Sequence, residues 1–228
     1  MTHHSSNPVI DAVIIIAFVV LGLVGAAQRR KKDVDRSLEL KFLSERLGFE
    51  NFDPAPNPQF ITAWGFLHCL TLGENRYAFN ILEGTYHDQK LFVFDYHFQT
   101  GSGKDQDHRY YTIFMLIVPE AFSKILIRPQ DMLGRIEGVF DAENIKFESA
   151  EFSKHYQVHC GDRKFAYDVC NPQMMEYLLA NTGLSVEIQG PVISLTFTPQ
   201  LPVSDIEPNL QRVAQIRALL PQYLFSKQ

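Results

Sequence analysis

Residues 12–27, AVIIIAFVVLGLVGAA, hold no charged or strongly polar side chain. Val9 and Ile10 extend the run past a single break at Asp11. As a helix, 19 such residues span about 28 Å, against a hydrocarbon core of about 30 Å. The pattern predicts a transmembrane helix over 9–28, with residues 1–8 as a short extracytoplasmic N-terminus. A helix buried against a soluble core would carry polar residues on its opposite face. A cleaved signal peptide would begin with positive charge, and residues 1–11 contain no Lys or Arg.

The pattern changes after residue 28. Positions 34, 38, 40, 42, 43 and 47 are apolar within the charged stretch 33–47. That spacing predicts an amphipathic helix that Gly48 can end. The next ten residues, FENFDPAPNP, place prolines at 54, 56 and 58 and read as an extended strap. Residues 29–59 are thus a basic juxtamembrane helix and Pro-rich linker. The body occupies 60–228, with possible halves 60–130 and 131–228.

Residues 60–72 fit helix and strand equally. Beyond them the period shortens to two. Strands are predicted at 77–85, 90–98, 109–118 and 124–128, an antiparallel β-meander. RYYTIFMLIV and KLFVFDYHF are apolar on both faces, so the sheet should be covered on both sides. A helix is expected at 131–140 and a strand at 151–160. Helices are expected at 164–170 and at 172–180, the latter with Asn171 as N-cap and Pro172 at the first helical position. Stretches 184–188 and 192–197 read as a hairpin around Gly190-Pro191, and 207–220 as a closing amphipathic helix. The fold class is α+β, a meander followed by a β-α-β-β-α half, with the sheet covered by helices.

Charge sharpens this picture. Arg29, Arg30, Lys31 and Lys32 follow the apolar run directly and suit a membrane interface. Five basic residues lie between 29 and 36 and none precede the span, which predicts an inner (plasma) membrane protein with its C-terminal domain cytoplasmic. From Asp33 onward the chain has 17 basic and 25 acidic side chains, about −8, which excludes a nucleic-acid footprint. The three cysteines, Cys69, Cys160 and Cys170, make no disulfide framework and agree with a reducing compartment.

Candidate chemistry is sparse. Gly101-Ser102-Gly103-Lys104 lacks the spacing of a phosphate-binding loop, and a strand rather than a helix follows it. His155 and His159, four apart on a strand, would stand about 13 Å from each other, too far to share one metal ion. No motif calls for a cofactor, a metal or a catalytic residue. If Gln99 lies opposite His108, then His97 faces Tyr110 and Asp95 faces Thr112 on one sheet face. An acid, an imidazole and two hydroxyls beside an apolar patch can mark a ligand-binding site. They can equally form a hydrogen-bonded network near a hairpin end.

The order of several short motifs resembles an uncharacterised family of single-pass bacterial membrane proteins. They are Leu82-Glu83-Gly84-Thr85-Tyr86, Phe94-Asp95-Tyr96, the loop Thr100 to Lys104, Ile127-Arg128-Pro129, Phe147-Glu148-Ser149, Glu151-Phe152-Ser153, Tyr156-x-Val158 and Pro172 with Met174-Met175. The resemblance implies the same topology, a helix that crosses the membrane once and a cytoplasmic α+β domain, and a bacterial source. It implies no reaction.

Three functions stay open. The first is a membrane-anchored interaction or sensing module, held to the lipid bilayer through residues 9–28, with a protein partner or a second copy of the chain. The second is a small-molecule or lipid-binding domain. The third, a hydrolase or metal-dependent enzyme, requires Asp95, histidines or a cysteine to converge in a cleft.

Overall fold

A computed structural model describes residues 8–130 and 144–225; the side chains of 8–15, 18, 19 and 104 lie outside that description. The chain divides into two compact units, residues 1–43 and 44–228. Helix α1, Pro8–Leu47, is unbroken over 40 residues and ends just before Gly48. Much of the span expected over 9–28 therefore falls on side chains outside the described residues. Among the described residues no helix is long and apolar enough to cross a membrane. Ile16, Val20, Leu21, Leu23 and Val24 of α1 are all exposed.

The second unit is built on one antiparallel sheet. Strand β1, Asn51–Asp53, lies inside the stretch expected to be a strap and pairs with β2, Glu74–Tyr86. The compact unit thus begins well before the boundary expected near residue 60. Its prolines stop β1 from lengthening, and Pro58 then opens the short helix α2, Pro58–Ala63, capped by Asn57. Strand β3, Gln89–Thr100, follows β2. The strands expected at 109–118 and 124–128 are two halves of one element, β4, Asp107–Pro129, with register shifts between Ile117 and Ile125.

Residues 151–160 are not one strand. Ser149 accepts a hydrogen bond from Phe152 N and starts helix α3, Ala150–His155; only Tyr156–Cys160 form strand β5. Phe152 and Tyr156 satisfy either period, and the cap decides in favour of helix. Helices α4, Arg163–Val169, and α5, Pro172–Ala180, follow as expected, and Asn171 Oδ1 caps α5 through Met174 N. The helix expected at 131–140 lies outside the described residues.

Strand β6, Ser185–Phe197, folds back on itself. Ser194 Oγ donates to Glu187 O at 3.2 Å, although a straight strand would separate these residues by about 23 Å. Gly190, at φ +54, supplies the left-handed turn residue that the fold-back requires. The expected hairpin is therefore present. Its second arm pairs with 112–117 of β4 and its first arm with 125–127, so it sits between the two halves of β4. Strand β5 pairs with the second half of β4.

Both sheet faces are covered. On one, Tyr96, Phe94, Phe98, Ile113 and Met115 pack under residues 60–72. Phe60 meets the rings of Phe92 and Phe94 edge-on at 5.4 and 5.1 Å. The Tyr96 hydroxyl ties this layer down by donating to Leu70 O at 3.1 Å. On the other face the closing helix α6, Ile206–Leu219, packs on β4 and β6 and buries Ile206, Leu210, Val213 and Ile216.

Candidate functional site

The register places Gln99 opposite His108, His97 opposite Tyr110 and Asp95 opposite Thr112, the pairing supposed from the sequence. The four candidate residues nevertheless separate into two environments.

Asp95 and Thr112 are each 1% exposed. The bulge in β2 puts Asn80 at φ +49, and its Nδ2 donates to Asp95 Oδ2 at 2.9 Å. Thr112 Oγ1 donates to Asp95 Oδ1 at 3.2 Å and accepts the Leu201 N–H at 3.0 Å. This is an internal network that joins β2, β3, β4 and the segment after β6. It gives no ligand access to the carboxylate.

His97 and Tyr110 line an open groove of about 470 Å³ with Asn75, Arg76, Tyr77 and His108. Pro56 and Pro58 form part of its wall. The His97 ring stacks on Tyr77 at 4.5 Å and lies 4.9 Å from Tyr110. Its Nδ1 is 3.2 Å from the Asn75 carbonyl, and its Nε2 is 2.9 Å from His108 Nδ1. A carbonyl can only accept, so Nδ1 of His97 carries the proton. Burial lowers the His97 pKa and favours the neutral ring, so Nε2 accepts from His108 Nδ1–H. The chain Asn75 O, His97, His108 is thereby oriented.

Gly73 shapes this end of β2. At φ +63 it brings the chain so close to β3 that a Cβ would lie 2.3 Å from Gln99 O. That approach sets the path into Asn75, itself at φ +48.

A second polar cluster lies under residues 68–70. Glu187 is 2% exposed; its carboxylate accepts from His68 N at 2.6 Å and Cys69 N at 3.1 Å. Burial raises the Glu187 pKa and pushes the Cys69 thiol well up. Burial, with the charges of Arg128 and Lys124, pushes His68 down to about 4. A protonated or buried thiol of this kind is a poor nucleophile. Sequence reasoning missed this cluster; its one signal was Glu187, the single charged residue of β6. It also missed Arg76 and Asn75, and placed His108 in the register without giving it a role.

The two histidines considered as a metal pair sit on different elements, His155 at the end of α3 and His159 on β5. Among the described residues no group of three His, Cys, Asp or Glu could hold a metal ion. Residues 101–104 lie in the β3–β4 connection, 101–106, which holds a single 3-10 turn at Gly103–Asp105 before strand resumes at Asp107. Arg29, Arg30, Lys31 and Lys32 are exposed on α1.

No family model matches the sequence. No curated protein matches it either. A solved structure, the crystal structure of the mycobacterial trehalose monomycolate transport factor A, TtfA, is similar in fold with a TM-score of 0.57. The likeness covers 82% of this chain and 96% of that chain at 13% sequence identity, so it is one of architecture.

Proposed function

We propose that this chain is a membrane-anchored cytoplasmic binding module that serves lipid traffic at the inner (plasma) membrane. The observation that carries the reading is the fold likeness to a transport factor for a lipid, which extends over nearly all of that chain. The anchor would be residues 9–28 of α1. Apolar side chains at 16, 20, 21, 23 and 24 are exposed around the helix, the pattern of a rod solvated by hydrocarbon. Arg29, Arg30, Lys31 and Lys32 would then meet the cytoplasmic headgroups. A protein partner or a second copy would complete the working assembly.

The groove at His97 and Tyr110 favours a second, compatible reading, a domain that binds a small molecule or a lipid headgroup.

Alkaline extraction of membranes, followed by protease treatment of spheroplasts, tests the proposal. The full chain should stay in the membrane pellet, and its body should be cleaved only after lysis. Release into the alkaline supernatant, or cleavage in intact spheroplasts, would overturn it. Lipid analysis of the purified chain tests the lipid link: a co-purifying envelope lipid supports it, and its absence from mildly solubilised material counts against it.

A further inference from the structure

We infer that the groove lined by Tyr77, His97 and Tyr110 binds a neutral sugar, which stacks on the tyrosine rings and hydrogen-bonds the amides of Gln99 and Asn75 through neighbouring hydroxyls. The inference rests on the reading of this groove as a binding site and names its ligand class.

The rings form one rung of the sheet. Tyr77 on β2 lies opposite His97 on β3, and His97 lies opposite Tyr110 on β4. His97 is 2% exposed, Tyr77 is half-buried and Tyr110 is 41% exposed. The middle ring is thus a floor and the two tyrosines flank it. Phe79 braces both tyrosines, at 5.8 Å from Tyr77 and 6.2 Å from Tyr110. Rigid tyrosines supply contact area at little cost in conformational entropy. The face of each ring carries negative charge. The C–H bonds on the apolar face of a pyranose are weakly positive and match it.

The amides at one end of this trough are locked. Gln99 Oε1 accepts from Asn75 Nδ2 and, at 2.7 Å, from Gln106 Nε2. That fixes the sense of both amides. Gln99 Nε2 is left to donate and Asn75 Oδ1 to accept, and among the described residues neither meets a partner. A donor and an acceptor held side by side complement hydroxyls on neighbouring carbons, each of which both accepts and donates.

Charge disfavours the other ligand classes. No carboxylate among the described residues lines the groove to meet a cation. The Arg76 guanidinium is tied to Leu70 O at 3.5 Å, so the groove offers no pair of permanent cations to an anion. A bare acyl chain would desolvate the amides without replacing their hydrogen bonds. The volume of about 470 Å³ lies within the roughly 300–1,000 Å³ of small-molecule sites. A free sugar and the headgroup of a glycolipid share this chemistry.

The test is saturation-transfer NMR on the full chain in a polyoxyethylene detergent, which carries no sugar. Methyl glycosides of glucose, galactose and mannose are titrated in one arm. Bicelles of phosphatidylcholine with a glucosyl diacylglycerol, and phosphatidylcholine alone as reference, form the other. Saturation of the aromatic protons should pass to ring C–H protons on one face of a bound sugar. Tyr110→Leu and Gln99→Ala should each weaken binding about fivefold. Tyr110→Phe keeps the ring and should bind as the parent does. Tyr167→Leu removes a tyrosine of similar exposure, 46%, on α4 and should also bind as the parent does. Unchanged circular dichroism confirms that the variants are folded. A response to a methyl glycoside identifies a free sugar, and a response to the glucosyl lipid alone identifies a headgroup. No response in either arm, or equal binding by Tyr110→Leu, Gln99→Ala and the parent, overturns the inference. A sugar-free lipid that co-purifies in the groove would also overturn it, yet would leave the groove a binding site, so the two readings fail separately.

Discussion

Asp95 on β3 and Thr112 on β4 face each other across the sheet, and the threonine hydroxyl donates to Asp95 Oδ1 at 3.2 Å while it accepts the Leu201 N–H at 3.0 Å. One hydroxyl thus connects a buried acid to the segment that leads into α6. Asp95→Ala removes the buried acceptor of the Asn80 Nδ2 and Thr112 hydroxyl hydrogen bonds. The expected loss is about 2–4 kcal/mol of stability, with a smaller loss for Asp95→Asn. Urea unfolding of the full chain in neutral detergent measures it. An unchanged midpoint for Asp95→Ala would contradict a structural role.

The buried cluster at His68 predicts a pH dependence. His68 titrates near 4 in the folded chain, below its ordinary value of 6.5, because burial penalises the charged ring. Its contribution to stability is present above 6.5 and is lost as pH falls through 4. The full loss is on the order of 2–3 kcal/mol. Glu187, raised by burial, acts in the opposite sense: its contribution is present below the ordinary glutamate range and is lost as pH rises through its raised pKa. Comparison with His68→Gln isolates the histidine part. Unfolding curves between pH 7 and pH 4 should fall more steeply for the parent chain than for the variant.

Gly73→Ala tests the geometry behind the groove. A methyl group there would lie 2.3 Å from Gln99 O and 2.6 Å from the Phe98 ring. The strain should cost about 3 kcal/mol and move Asn75 away from His97. A lower unfolding midpoint should accompany a shifted His97 Nδ1 resonance. If the midpoint falls while that resonance stays, Gly73 supports the sheet alone.

Asn171 holds two helices. Its Oδ1 caps α5 at Met174 N, 3.0 Å away, and its Nδ2 donates to Leu219 O at 2.9 Å at the end of α6. Asn171→Ala should cost about 1–2 kcal/mol, and Asn171→Asp should keep the cap and lose the second bond. Thermal unfolding should rank the parent above the aspartate variant and the alanine variant last.

Much of this architecture is legible in the sequence where the information is local. The polar loop between β3 and β4 sets their register, and through it the neighbours of Asp95 and His97. Asn171-Pro172 marks a helix start, and Gly190-Pro191 marks a turn. The errors arose where local signals tie or distant ones decide. Phe152 and Tyr156 suit a helix and a strand alike, and the Ser149 cap was the deciding residue. Glu187 is an acid in a strand, and only the arrival of His68 and Cys69, more than a hundred residues earlier, buries it. The candidate site was half legible. His97 was placed beside Tyr110, but the carbonyl that orients it belongs to Asn75, on a neighbouring strand and beyond the reach of any motif.

The insertion of the β6 fold-back between the two halves of β4 imposes an order on assembly at the ribosome. The central rungs of the sheet cannot close until Phe197 has emerged, some seventy residues after the last rung of β4. Until then the two inner edges of β4 stand open and greasy. Until the fold-back arrives, such open strands can pair promiscuously with those of sister chains.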